Sequence, residues 1–230
     1  MHGRLAGIVE RLSSPRLFVL GDLILDRYVW GAVHRVSPEA PVQILDAGRE
    51  EHRVGGAANV AHNLAVLGAR ATCGGTIGRD ADGVALVGLL RKYGVSPAGI
   101  VRDAHKPTTV KTRIIAHNQQ MLRIDREKRE SLERATERRL IRSVERAAAT
   151  HDGALVSDYN KGTLSAAVCR ALIRAFARRS RPVLVGLKSR DFRKYRGATA
   201  ASLNRSELAQ ISGEEDVEKG ARKIIETRLT

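Results

Sequence analysis

Short apolar runs that alternate with segments of helical periodicity constrain the fold of this sequence more than any other feature. Each run has the length of a buried strand, and most end at glycine or at polar residues; the five runs are residues 17–20, 71–77, 98–101, 153–156 and 182–185. Apolar residues recur every three or four positions between them, within residues 60–67, 84–90, 132–144 and 164–176. Strands that alternate with helices predict an α/β fold, with a mostly parallel sheet flanked by helices.

Two extended, polar stretches interrupt this alternation, at residues 28–54 and 108–124. They lack a helical period, and we predict that they form the strands of a small antiparallel lid beside the main sheet. In doubly wound sheets ligands bind outside the carboxyl ends of the strands. Four loops are therefore expected to converge there: Asp22–Asp26, Gly55–Asn59, Asp158–Lys161 and Asn204–Glu207.

The strongly basic charge indicates anionic partners. The formal net charge is +15, which suits nucleic acid, a membrane surface or phosphorylated small molecules. Aromatic residues make up only 3% of the chain, and no nucleic-acid-binding motif is present, so nucleic acid is the less favoured partner. Four arginines recur at every fourth position, and we interpret them as one solvated helical face: Arg134, Arg138, Arg142 and Arg146.

Hydropathy and cysteine content exclude several other classes. No apolar run approaches the roughly 18–20 residues that span a bilayer, and the first residues do not have the pattern of a signal peptide, so a cytoplasmic location is expected. Cys73 and Cys169 stand far apart without metal-ligand spacing. We interpret both as buried apolar residues rather than as disulfide or zinc ligands.

Gly55-Gly56, followed by the amphipathic run to Leu67, predicts a glycine turn that leads into a helix. The amino terminus of a helix presents free N–H groups to an oxygen-rich ligand. Taken alone, the pair is equally explained by close helix packing. It matches neither the dinucleotide-binding fingerprint nor the phosphate loop of nucleotide-binding proteins.

A wider spacing gives the glycine pair its meaning. Gly55-Gly56, Asn59, Ala61, Gly68 and Gly78 resemble the amino-terminal signature of the PfkB, or ribokinase-type, sugar kinases. Further segments resemble one branch, which phosphorylates D-glycero-D-manno-heptose 7-phosphate at C1; they lie at residues 21–28, 35–42, 118–125, 157–162 and 195–199. The resemblance extends over residues 16–208. It implies a ribokinase-like fold, with residues 1–230 as one incomplete domain, and ATP and Mg²⁺ as co-substrate and cofactor.

The resemblance also implies the roles of individual residues. Asp26, Gly55, Gly56 and Asn59 match positions that bind sugar hydroxyls, although Asp26 could instead cap a turn. Lys111, Arg113 and Arg123 in the lid could hold the 7-phosphate of the substrate, or could each be a surface charge.

The remaining matches lie around the phosphoryl-transfer site. Asp158 and Lys161 follow a central strand, and they match a substrate-binding and a phosphate-binding position; Lys161 could instead be a solvated charge. Lys188, Asn204 and Glu207 match the nucleotide side, with Glu207 reaching the metal through water; Asn204 could equally be a helix N-cap.

The sequence departs from the family pattern in two ways. Gly186-Leu187-Lys188 stands where the heptose kinases have Asp-Pro-Lys. The chain also reaches Thr230 before the Gly-Ala-Gly-Asp motif that supplies the anion hole and the catalytic base in this family. We therefore expect little or no kinase activity from these residues alone.

Three functions stay open: a sugar kinase, a non-catalytic sugar-phosphate-binding or assembly module, and, as the least favoured, a nucleic-acid-binding protein. The expected ligands are heptose phosphate and ATP, and a homodimer through the lid strands is expected.

Overall fold

The computed structural model describes residues 14–187 and 191–226. In this part of the chain the strands are β1 (Arg16–Gly21), β2 (Leu23–Val36), β3 (Gln43–Gly56), β4 (Arg70–Ile77), β5 (Ser96–Arg102), β6 (Thr109–Ala116), β7 (Gln119–Arg126), β8 (Gly153–Asp158), β9 (Val183–Leu187) and β10 (Ala200–Ser202). The helices are α1 (Ala57–Val66), α2 (Ala81–Lys92), α3 (Arg134–Thr150), α4 (Ala166–Ala177), α5 (Arg205–Ser212) and α6 (Val217–Ile224), with a 3-10 turn at Phe192–Tyr195.

The main sheet has six parallel strands in the order β10-β9-β8-β1-β4-β5. Consecutive residues of β1 point to opposite faces, and they enter two different core clusters. Phe18 and Leu20 pack with residues of α3 and α4, whereas Val19 packs with residues of α1 and α2. Helices thus cover both faces of the sheet, and the predicted α/β architecture is confirmed. The short edge strand β10 was not predicted.

The lid is a second sheet of four strands in the order β3-β2-β6-β7. The sequence predicted an antiparallel lid, and two of its three pairings are antiparallel, but the central pair, β2 with β6, is parallel. The connectivity explains this difference. Both β2 and β6 run outward from the main sheet, after β1 and after β5, and β3 and β7 are their return strands.

The lid is continuous with the main sheet at its base. Asp22 alone separates β1 from β2, and β3 leads into α1 without an intervening residue. An ion pair between Arg27 of β2 and Asp82 in the first turn of α2 (2.5 Å) holds the base of the lid against α2, on the lid face opposite that of Asp26. Among the described residues, no helix is both long enough and apolar enough to cross a membrane.

The junction of β3 and α1 requires glycine. Gly56 has a positive φ of 57°, and a Cβ atom there would collide with the carbonyl oxygen of Asp22. That carbonyl already accepts the N–H of Ala57 at 2.9 Å, so it cannot easily move away. A Cβ atom at Gly55 would collide with the carboxylate of Asp26. The glycine pair therefore permits a close approach between the lid and the core, and the turn predicted here is the end of a strand.

We predict that Gly56→Ala destabilises the protein much more than Gly94→Ala does. Gly94 also has a positive φ, of 72°, but no atom lies within 4 Å of a Cβ placed there, so its substitution measures the backbone cost alone. That cost is about 1–3 kcal/mol, and forced overpacking at Gly56 adds a similar amount. Urea unfolding of both variants measures the two costs, and equal losses would contradict the steric role of Gly56.

Candidate active site

A buried carboxylate organises the carboxyl end of the central strands. Asp22 follows β1 directly and is only 1% exposed. Its two oxygens accept backbone N–H groups from the loop after β8: Tyr159 at 2.9 Å, Lys161 at 3.1 Å and Thr163 at 3.1 Å. One side chain thus sets the path of the loop that carries Lys161. The sequence placed Asp22 among the converging loops but did not assign it this role.

Asp158, at the end of β8, is buried and fully engaged. Its Oδ2 accepts from Lys194 Nζ at 2.7 Å and from the hydroxyl of Tyr195, and its Oδ1 accepts from the N–H of Asn160 at 2.7 Å. Burial and the charge of Asp158 raise the pKa of Tyr195, so this hydroxyl remains a donor. Asp158 therefore ties the β8 loop to the 3-10 turn. The sequence quoted Tyr195 only as part of a motif and missed Lys194.

Lys161 lies beneath the lid in an ion pair with Glu127, with Nζ 2.6 Å from Oε2. The neighbouring Lys106 donates to the backbone carbonyls of Glu130 at 2.6 Å and Lys161 at 3.1 Å. Burial lowers the pKa of Lys106, while the carboxylates of Asp22 and Asp103 oppose that shift. Sequence reasoning missed Glu127 and Lys106, because their partners are distant along the chain.

Asp80, two residues after Gly78 of the family signature, has a structural role. Its carboxylate caps α2 by accepting the N–H of Gly83 at 2.9 Å, and it also accepts the backbone N–H of Thr108 at 2.9 Å. This side chain joins the start of α2 to the segment that leads into β6. It fixes where the lid strand with Lys111 and Arg113 leaves the main sheet.

One face of the lid carries the predicted sugar and phosphate ligands. Asp26 of β2 forms an ion pair with Arg113 of β6, at 2.6 Å between Oδ1 and Nη1. Lys111 is the register partner of Asp26, and Arg123 of β7 is the register partner of Arg113. Side chains at register partners, and two residues apart along a strand, share a face. The structure thus brings these four predicted residues together.

The lid and the β8 loop are close enough for their charges to interact. Partial burial lowers the pKa of Lys111, and the positive charge of Lys161 lowers it further. Arg123 forms an ion pair with Asp125 at 2.8 Å on the same lid face. Lys111 therefore lies within the electrostatic influence of Lys161, whose own charge is paired with that of Glu127.

Two aromatic side chains on the same lid face escaped the sequence analysis. Tyr28 and Trp30 stack with their ring centroids 5.4 Å apart. The guanidinium of Arg49 lies 3.9 Å from the Trp30 ring, and those of Arg53 and Arg113 lie 4.9 Å and 5.2 Å from the Tyr28 ring. Stacking of this kind holds arginines in place. The alternation of Asp26, Tyr28 and Trp30 along β2 was the available signal.

The other predicted residues lie outside this cluster. Asn59 is exposed in the first turn of α1, and Lys188 lies outside the described residues. Asn204 and Glu207 form a reciprocal capping box at the start of α5: Asn204 Oδ1 accepts the Glu207 N–H at 2.8 Å, and Glu207 Oε2 accepts the Asn204 N–H at 2.9 Å. Asn204 is thus a helix N-cap, which was the alternative interpretation of its sequence pattern. This box follows β10, two strands or roughly 10 Å from β8.

Magnesium would have few protein ligands here. Within residues 14–187 and 191–226, no group of three or more acidic, histidine or cysteine side chains could hold a metal ion. One oxygen of Glu207 is used by the capping box, which leaves the other for a water molecule. Mg²⁺ usually keeps several waters and takes one or two carboxylates plus substrate phosphates. The residues present fit such a solvated ion.

The family is shown by comparison with known proteins. The model of the pfkB family carbohydrate kinases matches residues 14–228. The bifunctional protein HldE of Trichlorobacter lovleyi is 45% identical over 206 residues, which cover 90% of this chain and 42% of that protein. The chain therefore belongs to the pfkB family of carbohydrate kinases, and it spans less than half the length of this curated relative.

Solved structures show the same fold. A carbohydrate kinase from Agrobacterium tumefaciens superposes with a TM-score of 0.70 at 22% identity, over 91% of this chain and 67% of that one. The tetrameric inhibited form of phosphofructokinase-2 from Escherichia coli gives 0.71 at 20% identity, over 93% and 70%. The ribokinase-like fold expected from the sequence is confirmed.

We predict that Asp22 gives stability a specific pH dependence. Burial, together with the charge of Asp158, raises the pKa of Asp22 above its ordinary value of 3.8, although the N–H donors oppose this shift. The folded state therefore holds the proton more tightly than the unfolded state. Relative to Asp22→Asn, the wild-type free energy of unfolding should fall as the pH rises from the ordinary pKa through the raised one.

Urea unfolding of both proteins between about pH 3.5 and 7 measures this difference. Glu218→Gln, at an exposed position of α6, is the control for removal of a carboxylate. A difference between wild type and Asp22→Asn that stayed constant with pH would contradict the prediction.

Proposed function

We propose that the cleft between lid and main sheet is the sugar-phosphate side of a kinase site whose substrate is D-glycero-D-manno-heptose 7-phosphate. The observation that carries this proposal is the lid face on which Asp26, Lys111, Arg113 and Arg123 lie together. A carboxylate accepts hydroxyl hydrogens, and lysine and arginine bind phosphate. A substrate with both hydroxyls and a phosphate uses both kinds of group. The resemblance to the heptose kinases supports the particular sugar.

The reaction in this proposal transfers the γ-phosphate of ATP to C1 of the heptose, in the synthesis of ADP-heptose for lipopolysaccharide. Asp26 would hold sugar hydroxyls beside Gly55 and Gly56, where the absence of side chains leaves room for the Asp26 carboxylate against the backbone. Asn59, exposed at the start of α1, would add an amide contact. The lid cations would hold the 7-phosphate and so place C1 towards the β8 loop.

Fewer observations support the residues that we propose for binding the nucleotide. Lys161 is placed by Asp22 and Glu127, close to the lid cations, where it would meet phosphate oxygens. Asn204, Glu207 and Lys188 would serve ATP, with Glu207 holding Mg²⁺ through water. The metal would neutralise charge on the transferring phosphoryl group. Asp158 would act by positioning, because Lys194 and Tyr195 already occupy its carboxylate.

Assembly and location are part of the same proposal. Leu122 and Ile124 alternate with Arg123 and Asp125, so they lie on the other lid face, and they are 57% and 53% exposed. Exposed apolar side chains on a sheet favour burial against a partner. A homodimer through the lids, in the cytoplasm, is the arrangement we propose.

Lys111→Met is expected to weaken binding of heptose 7-phosphate at least about tenfold while leaving the unphosphorylated heptose nearly unaffected, because a hydrogen bond to a charged group contributes about 1.5–3 kcal/mol. Asp26→Asn should weaken the binding of both sugars. Isothermal titration calorimetry measures both affinities. The matched control is Lys128→Met, whose lysine pairs with Glu130 outside the lid face. Failure of the wild-type protein to bind either sugar would refute the proposed substrate.

A second candidate, a binding module without catalysis, is favoured by one observation: Lys194 and Tyr195 occupy the carboxylate of Asp158, and Glu127 pairs with Lys161. We expect the 230-residue polypeptide to bind heptose 7-phosphate without measurable transfer from ATP. A coupled assay for ADP release, with added Mg²⁺, tests this. Turnover at a rate typical of kinases, about 1–100 per second, would show that the residues present suffice for catalysis.

A further inference from the structure

Five arginines line one groove at the edge of the main sheet, away from the residues assigned to the cleft. Arg139, Arg142 and Arg146 come from α3, Arg102 ends the edge strand β5, and Arg79 follows β4. Positions 139, 142 and 146 are spaced by three and four residues, so they form one stripe along the helix. This stripe borders the buried face of α3 on the side of β5.

Among the residues that the structure describes, no acidic side chain pairs with these arginines. Within the described part of the chain, Arg139 donates to the carbonyl of Arg102 at 2.6 Å and to the Thr136 hydroxyl at 3.3 Å. Neither a hydrogen bond nor an ion pair is formed by the side chains of Arg79, Arg102, Arg142 or Arg146 with another described residue. Like charges gathered in a groove repel one another. The folded chain therefore carries an uncompensated positive charge there.

The four arginines that the sequence predicted on one helical face do not all lie on the same face in the structure. Sequence reasoning interpreted Arg134, Arg138, Arg142 and Arg146 as one solvated face. Arg142 and Arg146 line the groove, whereas Arg134 and Arg138 are exposed and do not line it. The reason is that a four-residue spacing drifts around a helix of 3.6 residues per turn.

A less polar pocket continues the groove beyond Arg146. Its lining includes Phe18, Ala98, Gly99 and Ala147, with His151 at its far end. Arg146 lines both parts, so the two are contiguous. Burial lowers the pKa of His151, which leaves the arginines as the charges of the combined groove. A ligand that fits both parts has a compact anionic group and a less polar portion.

We propose that this groove binds the polyphosphate group of a small soluble ligand, at a site separate from the kinase cleft. Guanidinium groups bind phosphate oxygens bidentately, and several of them converging in a concavity suit a short chain of phosphates. The arginine part has no aromatic lining residue on which bases of a single-stranded nucleic acid would stack. The contiguous apolar pocket has room for an organic portion, as in a nucleotide.

Inorganic tripolyphosphate is the probe, because it carries the proposed chemistry and nothing else. Its affinity is measured by calorimetry at low ionic strength for the wild-type chain, for Arg142→Ser/Arg146→Ser, and for Arg134→Ser/Arg138→Ser. The last variant is the matched control, with the same charge change on the same helix. We expect a loss of at least about tenfold in the groove variant and less than about twofold in the control.

Hydrogen exchange locates the bound probe. Tripolyphosphate should protect residues 96–102 and 134–150, and this protection should disappear in the groove variant. Thermal unfolding of each variant checks the fold, and because the arginines repel one another, the groove variant should be at least as stable as wild type without ligand. Equal affinity losses in both double variants, protection only around residues 158–164, or no binding would overturn the proposal.

Two further ligands identify the source of the phosphates. ATP that binds more tightly than tripolyphosphate, and that additionally protects residues 72 and 147–151, would support a nucleotide. A short duplex DNA that outcompetes both, with an affinity lost in the groove variant alone, would overturn the choice of a small ligand in favour of nucleic acid.

Discussion

The hydrogen bonds of the Asp22 carboxylate are the interaction on which the carboxyl end of the main sheet and the base of the lid depend. Three N–H groups from a loop more than a hundred residues later converge on one buried side chain. Its backbone carbonyl meanwhile accepts the first N–H of α1. Burying a carboxylate is unfavourable unless donors surround it, so Asp22 depends on the N–H groups of the loop. The conformation of the loop depends in turn on the carboxylate of Asp22. The position of Lys161, and through it the charge beneath the lid, follows from this arrangement.

The parts of the fold that follow from local burial could be predicted from the sequence. The runs that became β1, β8 and β9 are short and apolar because neighbours cover both of their sides, and α4 repeats its apolar residues because one face must enter the core. The predicted antiparallel direction was wrong for the central pair of lid strands, β2 and β6. Direction depends on which core strand feeds each lid strand, and composition does not record that.

The candidate site likewise has a part that the sequence predicts and a part that it does not. Residue types and motif spacing placed Lys111, Arg113 and Arg123 in the lid and Asp26 in the loop before it. Asp26 instead lies in lid strand β2, and the register between strands brings the four residues to one face. The partners of Asp158 and Lys161 could not be predicted, because Lys194, Tyr195 and Glu127 lie 34 to 37 residues away along the chain and only the tertiary packing brings them near. Asn204 and Glu207 show a further limit: a short sequence pattern that fits a ligand site also fits a helix cap.

The base of the lid has a mechanical consequence. Since β2 begins one residue after β1, and β3 passes straight into α1, no flexible linker separates these lid strands from the core. A tilt of β2 and β3 against the main sheet requires rotation of the backbone bonds at Asp22 and at the glycine pair. The carbonyl and carboxylate of Asp22 are bonded to α1 and to the β8 loop. Any movement of β2 and β3 against the main sheet would therefore displace α1 and the β8 loop through their hydrogen bonds to Asp22.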